Sequence, residues 1–322
     1  MFYYQLTEKL GYNTSEVKIM EIIKVAPRGY CKGVIHAISI AKQTAKEYPD
    51  KDIYVLGMLV HNRYVMEALN LLGIKTIDDK NSTRIKLLEK IPSGSVVIFT
   101  AHGVAPQVKT EAQKRGLIAI DASCCDVVKT QNIVKSHLDN GYEILYIGKK
   151  NHPEAEAICA LSSHVHLICN KQDIVDLKDF KKVFVTNQTT MSMFDISELF
   201  ECINEHYPNA IFSEEICNAT RIRQQAVADL KGQNIDVLFV VGDKHSNNST
   251  RLAQIALQQN IPHVYRIDDV NDIHEDYLKG VNKVAVTAGA STPTYLTSQV
   301  ISYLLNFDKE KQKPAIDITK VL

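Results

Sequence analysis

The chain has 322 residues, 45% of them apolar, and its 37 Lys and Arg are matched by 37 Asp and Glu. That length can build about two or three domains with sizeable cores, while a formal net charge of zero gives no footprint for nucleic acid or an anionic membrane surface. No apolar run reaches the ~18 residues of a membrane span, and the first 20 residues, with Glu8 and Glu16 and no continuous apolar stretch, do not read as a secretory signal.

In chain order the pattern predicts a strand at Glu21–Ala26, a helix at His36–Glu47, and strands at Asp52–Leu56, Ser95–Thr100 and Leu117–Ile120. A helix at Val127–Leu138 follows, then strands at Glu143–Ile147 and Lys182–Val185 and a helix at Ile196–Tyr207. A strand at Asp236–Val241, a helix at Arg251–Gln259 and strands at His263–Ile267 and Lys283–Val286 complete the series. The strand runs are rich in Val, Ile, Leu, Phe and Tyr and mostly lack polar alternation, which suits a parallel sheet covered on both faces. Alternation of such strands with helices is the signature of an α/β protein.

Most of the strand runs pass straight into polar loops. They include T-A-H-G (100–103), N-H-P-E (151–154), T-N-Q-T-T (186–190), G-D-K-H-S-N-N-S-T (242–250) and T-A-G-A-S-T-P (287–293). In open α/β sheets, ligands lie beyond the carboxyl ends of strands, and helix N-termini there favour phosphate. Hydroxyl, amide and imidazole groups dominate these loops and Arg is absent from them, so they point to a small phosphate-bearing ligand. Each loop taken singly also reads as an ordinary helix cap. His61, His102 and His152 follow strand-like runs. Glu154 can serve as a proton donor or as a first-turn carboxylate favoured by the helix dipole.

Without a secretory signal the chain is expected in a reducing cytoplasm. Its seven cysteines, Cys31, Cys124, Cys125, Cys159, Cys169, Cys202 and Cys217, then read as thiols or metal ligands rather than a disulfide framework. No C-x-x-C pair occurs, so zinc-ribbon and ferredoxin patterns are excluded. Cys31, Cys124 and Cys217 are separated by equal intervals of 93 residues, and each precedes a helix. Such spacing suggests three small α/β units meeting at one point. The three thiols are either buried small residues or ligands of an iron–sulfur cluster. With three protein ligands rather than four, one iron keeps an open site that can act as a Lewis acid.

Taken together, the motifs P-R-G-Y-C (27–31), V-H-N-R-Y-V (60–65), A-H-G-V (101–104), D-A-S-C (121–124), N-H-P-E (151–154), Q-T-T (188–190), I-C-N-A-T (216–220), S-N-N-S (246–249) and T-A-G-A-S (287–291) closely resemble the 4-hydroxy-3-methylbut-2-enyl diphosphate reductases. These are the last enzymes of the methylerythritol phosphate route to isoprenoids. The resemblance runs from about residue 22 to 305. It implies three small α/β domains with mostly parallel sheets around one central 4Fe–4S cluster held by Cys31, Cys124 and Cys217. It implies that His61, His102, Ser246, Asn247, Asn248 and Ser291 hold the diphosphate, with His152, Glu154 and Thr189 near the hydroxyl end of the substrate and Glu154 as proton donor.

The implied reaction is reductive dehydroxylation of an allylic diphosphate to isopentenyl and dimethylallyl diphosphate. Its electrons come from a ferredoxin or flavodoxin, and no nicotinamide fingerprint is present. The alternatives are a non-redox cluster-dependent dehydratase and a phosphate-ligand binding module with structural cysteines. The expected division is an extension at 1–20, domains at 21–121, 122–213 and 214–305, and a tail at 306–322. Two departures stand out. Asn247 occupies a position where the family usually has Ser, and Cys125 one where it usually has Pro. Cys125 is expected to point away from the iron that Cys124 would bind.

Overall fold

The computed structural model describes residues 20–79, 81–307 and 312–322. The expected extension at 1–20 lies almost wholly outside the described residues. Among those described, the strands are β1 (Glu21–Lys24), β2 (Ile53–Leu56), β3 (Ile74–Ile77), β4 (Val96–Phe99), β5 (Ile118–Asp121), β6 (Glu143–Ile147), β7 (Val165–Ile168), β8 (Val183–Asn187), β9 (Ile211–Phe212), β10 (Val237–Val241), β11 (His263–Ile267) and β12 (Lys283–Ala288). The helices are α1 (Lys32–Glu47), α2 (Arg63–Leu71), α3 (Arg84–Leu88), α4 (Pro106–Lys114), α5 (Cys125–Asp139), α6 (Pro153–Cys159), α7 (Gln172–Val175), α8 (Met193–His206), α9 (Asn218–Ala228), α10 (Asn247–Gln258) and α11 (Thr294–Leu305).

The strands form three four-stranded parallel sheets, ordered β3-β2-β4-β5, β7-β6-β8-β9 and β11-β10-β12-β1. All three repeat one plan. The strand that opens the unit lies second in the sheet, its successor takes one edge, and the next two extend the other side. Apolar residues cover both faces of the central strands: β4, β8 and β10 are buried along their whole length. Each fully buried Val, Leu or Ile contributes about 1.5–3 kcal/mol, so the central strands anchor each unit.

The third sheet is completed from the other end of the chain. β1 pairs in parallel with β12, Ile22 opposite Val284 and Ile23 opposite Ala285. Residues 21–24, which the expected division assigns to the first unit, therefore sit in the third sheet. They fill the edge that β5 and β9 fill in the other two. Helix α1 then leads from the third sheet into the first. Its Ala37 and Ala41 are fully buried in a core shared by residues of both sheets, Val55 and Ile98 on one side and Phe239 and Val286 on the other. The second sheet has separate cores around Leu145 and Val185 on one face and Ile144 and Phe184 on the other.

The last described segment folds back on this assembly. Val321 is buried in the shared core, and its carbonyl oxygen accepts a 2.8 Å hydrogen bond from the hydroxyl of Tyr30. Among the described residues, no helix is long and apolar enough to cross a membrane.

Candidate active site

The repeated sheet plan sorts the candidate residues into two sets. The two central strands of each sheet lead into polar loops. β2 leads to His61 and β4 to His102, β6 to His152 and β8 to Thr189, β10 to Ser246–Asn248 and β12 to Ser291. The fourth strand of each sheet, β5, β9 and β1, leads to a cysteine: Cys124, Cys217 and Cys31 respectively. All of these positions lie past carboxyl ends of parallel strands, where helix N-termini gather.

Three histidines from two sheets pack against one another. Ring centroids are 4.2 Å apart for His61 and His102, 5.3 Å for His61 and His152, and 5.6 Å for His102 and His152. Burial holds all three neutral, pushing His61 down to about 4, His152 to about 3 and His102 well below its ordinary value. The Nδ1 of His152 accepts a 3.2 Å hydrogen bond from the backbone N–H of Glu154, which leaves its proton on Nε2. His61 keeps both ring nitrogens, and Asn248 both amide atoms, buried with no protein partner. Buried polar atoms without a partner are rare and costly, so this cradle suits a polar ligand.

Glu154 lies in the first turn of α6, where His152 caps the helix and Pro153 takes the first position. It is only 1% exposed. Its Oε1 accepts hydrogen bonds from the Thr189 N–H at 2.8 Å and the Tyr146 hydroxyl at 3.3 Å, and its Oε2 accepts from the Thr189 hydroxyl at 3.0 Å. Burial outweighs these bonds and raises the carboxyl to about 7. Near neutral pH it therefore holds a proton it can give away, the condition for a general acid.

Cys31, Cys124 and Cys217 are the N-cap residues of α1, α5 and α9. All three have extended backbone geometry, and none uses its side chain to cap the helix; the Cys124 thiol donates to the Asp126 carboxylate at 3.8 Å and that of Cys217 to the Thr220 hydroxyl at 3.1 Å. Gly33 makes their approach possible: a Cβ there would lie 2.5 Å from the Cys124 sulfur and 3.9 Å from that of Cys31. Burial pushes the Cys124 thiol up to about 12 and raises that of Cys217, so a metal must displace protons to bind. The donor set fits an iron–sulfur group: soft sulfur ligands at three helix N-termini, two of them brought together beside a glycine.

Cys125 is exposed, unlike its half-buried neighbour. The donor atoms of Cys124, Cys125 and Asp126 nevertheless all lie within 4.8 Å of one another, closer than the expected divergence of the two thiols implies. The reason is local, since Cys124 caps α5 and Cys125 is its first residue.

The third sheet contributes hydroxyls and amides. Ser246 caps α10 by accepting from the Ser249 N–H. Asn247 donates through Nδ2 to the Thr190 carbonyl at 2.8 Å, so its amide ties α10 to the loop that carries Thr189. The Ser291 hydroxyl donates to the His61 carbonyl at 2.9 Å, joining the third unit to the first. Gly242 and Gly289 leave room for Ser249, whose hydroxyl oxygen would lie 2.3 and 2.2 Å from a Cβ at either position.

Two guanidinium groups belong to this region although no polar loop supplies them. Arg84, the first residue of α3, reaches under Gly57, where a Cβ would lie 2.4 Å from its Nη1. Its charge acts on His61, His102 and His152 alike. Arg223, in α9, is 3% exposed and lies close enough to Cys31 and Cys217 for their charges to act on it. Both arginines come from helices rather than from the polar loops.

Comparison with known proteins agrees with this geometry. The LytB protein family matches residues 22–305. A 4-hydroxy-3-methylbut-2-enyl diphosphate reductase from Anoxybacillus flavithermus is 46% identical over 311 residues, covering 94% of this chain and 98% of its own. The enzyme of the same name from Bacillus subtilis is 46% identical over 295 residues, covering 90% of this chain and 92% of its own. A solved structure of the E-1-hydroxy-2-methyl-but-2-enyl-4-diphosphate reductase from Plasmodium falciparum superposes with a TM-score of 0.84 at 31% identity, over 94% of this chain and 96% of that one.

Proposed function

The chain belongs to the LytB protein family, and from that premise we propose that it reductively dehydroxylates 4-hydroxy-3-methylbut-2-enyl diphosphate to isopentenyl and dimethylallyl diphosphate. This is the last step of the methylerythritol phosphate pathway. The carbon–oxygen bond to the hydroxyl breaks, two electrons and two protons are taken up, and the oxygen leaves as water. The observation that carries the reading is the meeting of two features: three cysteines capping three helices, and a buried carboxyl held at about 7.

Cys31, Cys124 and Cys217 would hold one 4Fe–4S cluster. Such a group supplies the electrons and, at the iron without a protein ligand, a Lewis acid for the hydroxyl end of the substrate. Glu154 protonates the departing oxygen, and Thr189 holds it in place through two hydrogen bonds. The His152 Nε2–H lies at the same end. His61, His102, Ser246, Asn248 and Ser291 receive the diphosphate, with neutral imidazoles and the Asn248 amide as donors, while Asn247 ties this loop to the one that carries Thr189. Because burial keeps the imidazoles uncharged, they bind through hydrogen bonds and leave the charge to arginine and helix termini.

A ferredoxin or flavodoxin in a reducing cytoplasm is the electron donor this reading requires. All seven cysteines are free thiols, in keeping with that compartment. The test is anaerobic purification followed by iron and sulfide analysis and an assay with the allylic diphosphate and a low-potential reductant. Brown protein that consumes the substrate only when reductant is supplied is the expected result. Colourless, iron-free protein, or turnover without reductant, would overturn the reading.

A further inference from the structure

Arg223 is a buried cation without an acidic partner. Its side chain is 3% exposed. Nη1 donates to the Ala219 carbonyl at 2.9 Å and Nη2 to the Gly29 carbonyl at 2.7 Å, while Nε is buried with no partner at all. Among the described residues no carboxylate pairs with it; the charges that act on it are those of Cys31 and Cys217. Arg223 lies midway along α9, but its guanidinium folds back to the Ala219 carbonyl in the first turn, where the helix dipole disfavours a cation. A guanidinium kept out of water under these conditions is expensive unless an anion lies beside it.

The cysteines provide that anion when they bind metal, because coordination makes them thiolates. Three thiolates around a 4Fe–4S core of charge +2 give a group of net charge −1, and one-electron reduction makes it −2. Arg223 reaches both neighbouring ligand loops at once: Cys217 lies six residues before it in sequence, and Gly29, which accepts its hydrogen bond, lies two residues before Cys31.

We propose that Arg223 is the counter-cation of the metal group held by Cys31, Cys124 and Cys217, and that it raises the reduction potential of that group. The inference rests on the assignment of the three cysteines as ligands. A fixed positive charge favours the more negative, reduced state over the oxidised one. It therefore eases entry of the electron that the reaction consumes. Arg223 is a positioning residue in this account, for it acts through the metal group and touches no substrate.

Wild type, Arg223→Gln and Arg223→Lys are compared as anaerobically purified holoproteins. Iron and sulfide content is measured first, and the midpoint potential is then followed spectroscopically with mediator dyes. Gln can still donate to the Gly29 carbonyl but carries no charge; Lys keeps the charge. The expected result is equal iron in all three, a midpoint shifted to lower potential in Arg223→Gln, and a midpoint near that of wild type in Arg223→Lys. Loss of iron from Arg223→Gln alone also supports a charge role.

An unchanged midpoint in Arg223→Gln overturns the proposal, as does an equal shift in both variants or loss of iron from both. Each of these results leaves the cluster assignment standing, provided that wild type is brown. A colourless wild type removes the assignment itself.

Discussion

The central-strand loops and the fourth-strand ends differ in a way that the shared sheet plan makes visible. Each sheet has the same three exits at the carboxyl ends of its strands. At the central exits the residues have diversified: two histidines from the first sheet, a histidine and a threonine from the second, serines and asparagines from the third. At the fourth-strand exits the residue is the same each time, a cysteine capping the next helix. Identical donors from three sides suit a group that looks alike from three sides. Diversified donors suit an elongated molecule whose two ends need different chemistry. In the proposed function, this contrast divides the residues that would hold the metal group from those that would receive the substrate.

The largest effects are expected where the cysteine ring is broken. Cys124→Ser removes one donor, and Gly33→Ala drives a methyl group to 2.5 Å from the Cys124 sulfur. Both variants should lose iron and all turnover while the sheets remain folded, which iron analysis and circular dichroism check together. Retained iron in Gly33→Ala would mean that the two loops do not need the close approach the glycine allows.

The next effect belongs to the substrate side and to the acid. Glu154→Gln should keep iron and substrate affinity yet lose turnover by about 10²–10⁴-fold, the usual contribution of a positioned proton donor. The pH profile gives the sign. Burial raises Glu154 from 4.5 to about 7, so its neutral form is favoured in the fold. That stabilising contribution is present in full below 4.5 and is lost as pH rises through about 7, and the proton needed for catalysis goes with it.

The histidines act oppositely. Burial lowers His61 from 6.5 to about 4, so the stability from keeping it neutral is present above 6.5 and lost as pH falls toward about 4. Turnover should therefore decline above about pH 7, and thermal stability should decline on the acid side. Glu154→Gln should remove the alkaline decline in turnover and leave the acid instability. An alkaline limb that survives in Glu154→Gln would point to a different donor.

How much of this could be read beforehand depends on where the signal resides. The strands at the sheet centres were legible because burial on both faces makes them continuous apolar runs, as in Val96–Phe99 and Val237–Val241. β3, β7 and β9 were missed. They are edge strands, short or mixed with polar residues such as Lys75 and His166, and their burial is only partial. The pairing of β1 with β12 was not legible either, because nothing in Glu21–Lys24 marks a partner some 260 residues away.

In the site, the loop residues announced themselves by position after a strand. Arg84 and Arg223 did not, since a long side chain on a helix reaches places its sequence neighbours do not. In the sequence Asn247 looks equivalent to Asn248, yet its amide donates to the Thr190 carbonyl and lies 3.3 Å from the Thr190 hydroxyl, whereas Asn248 keeps both amide atoms without a partner.

The smallest effect is expected at Cys125, and it sharpens the contrast most finely. Its sulfur lies within 4.8 Å of that of Cys124, so proximity alone does not decide which of them belongs to the ring. Position does: the ring residues are N-caps, whereas Cys125 is the first helical residue and faces solvent. Proline suits that position, because the N–H it lacks would have no partner within the helix and its fixed φ is already helical. Cys125→Pro should therefore keep full iron, turn over at the wild-type rate and change stability by no more than about 1 kcal/mol. If iron is lost from Cys125→Pro and kept in Cys124→Ser, the ligand is the exposed thiol and the repeated N-cap rule fails at the second of its three positions.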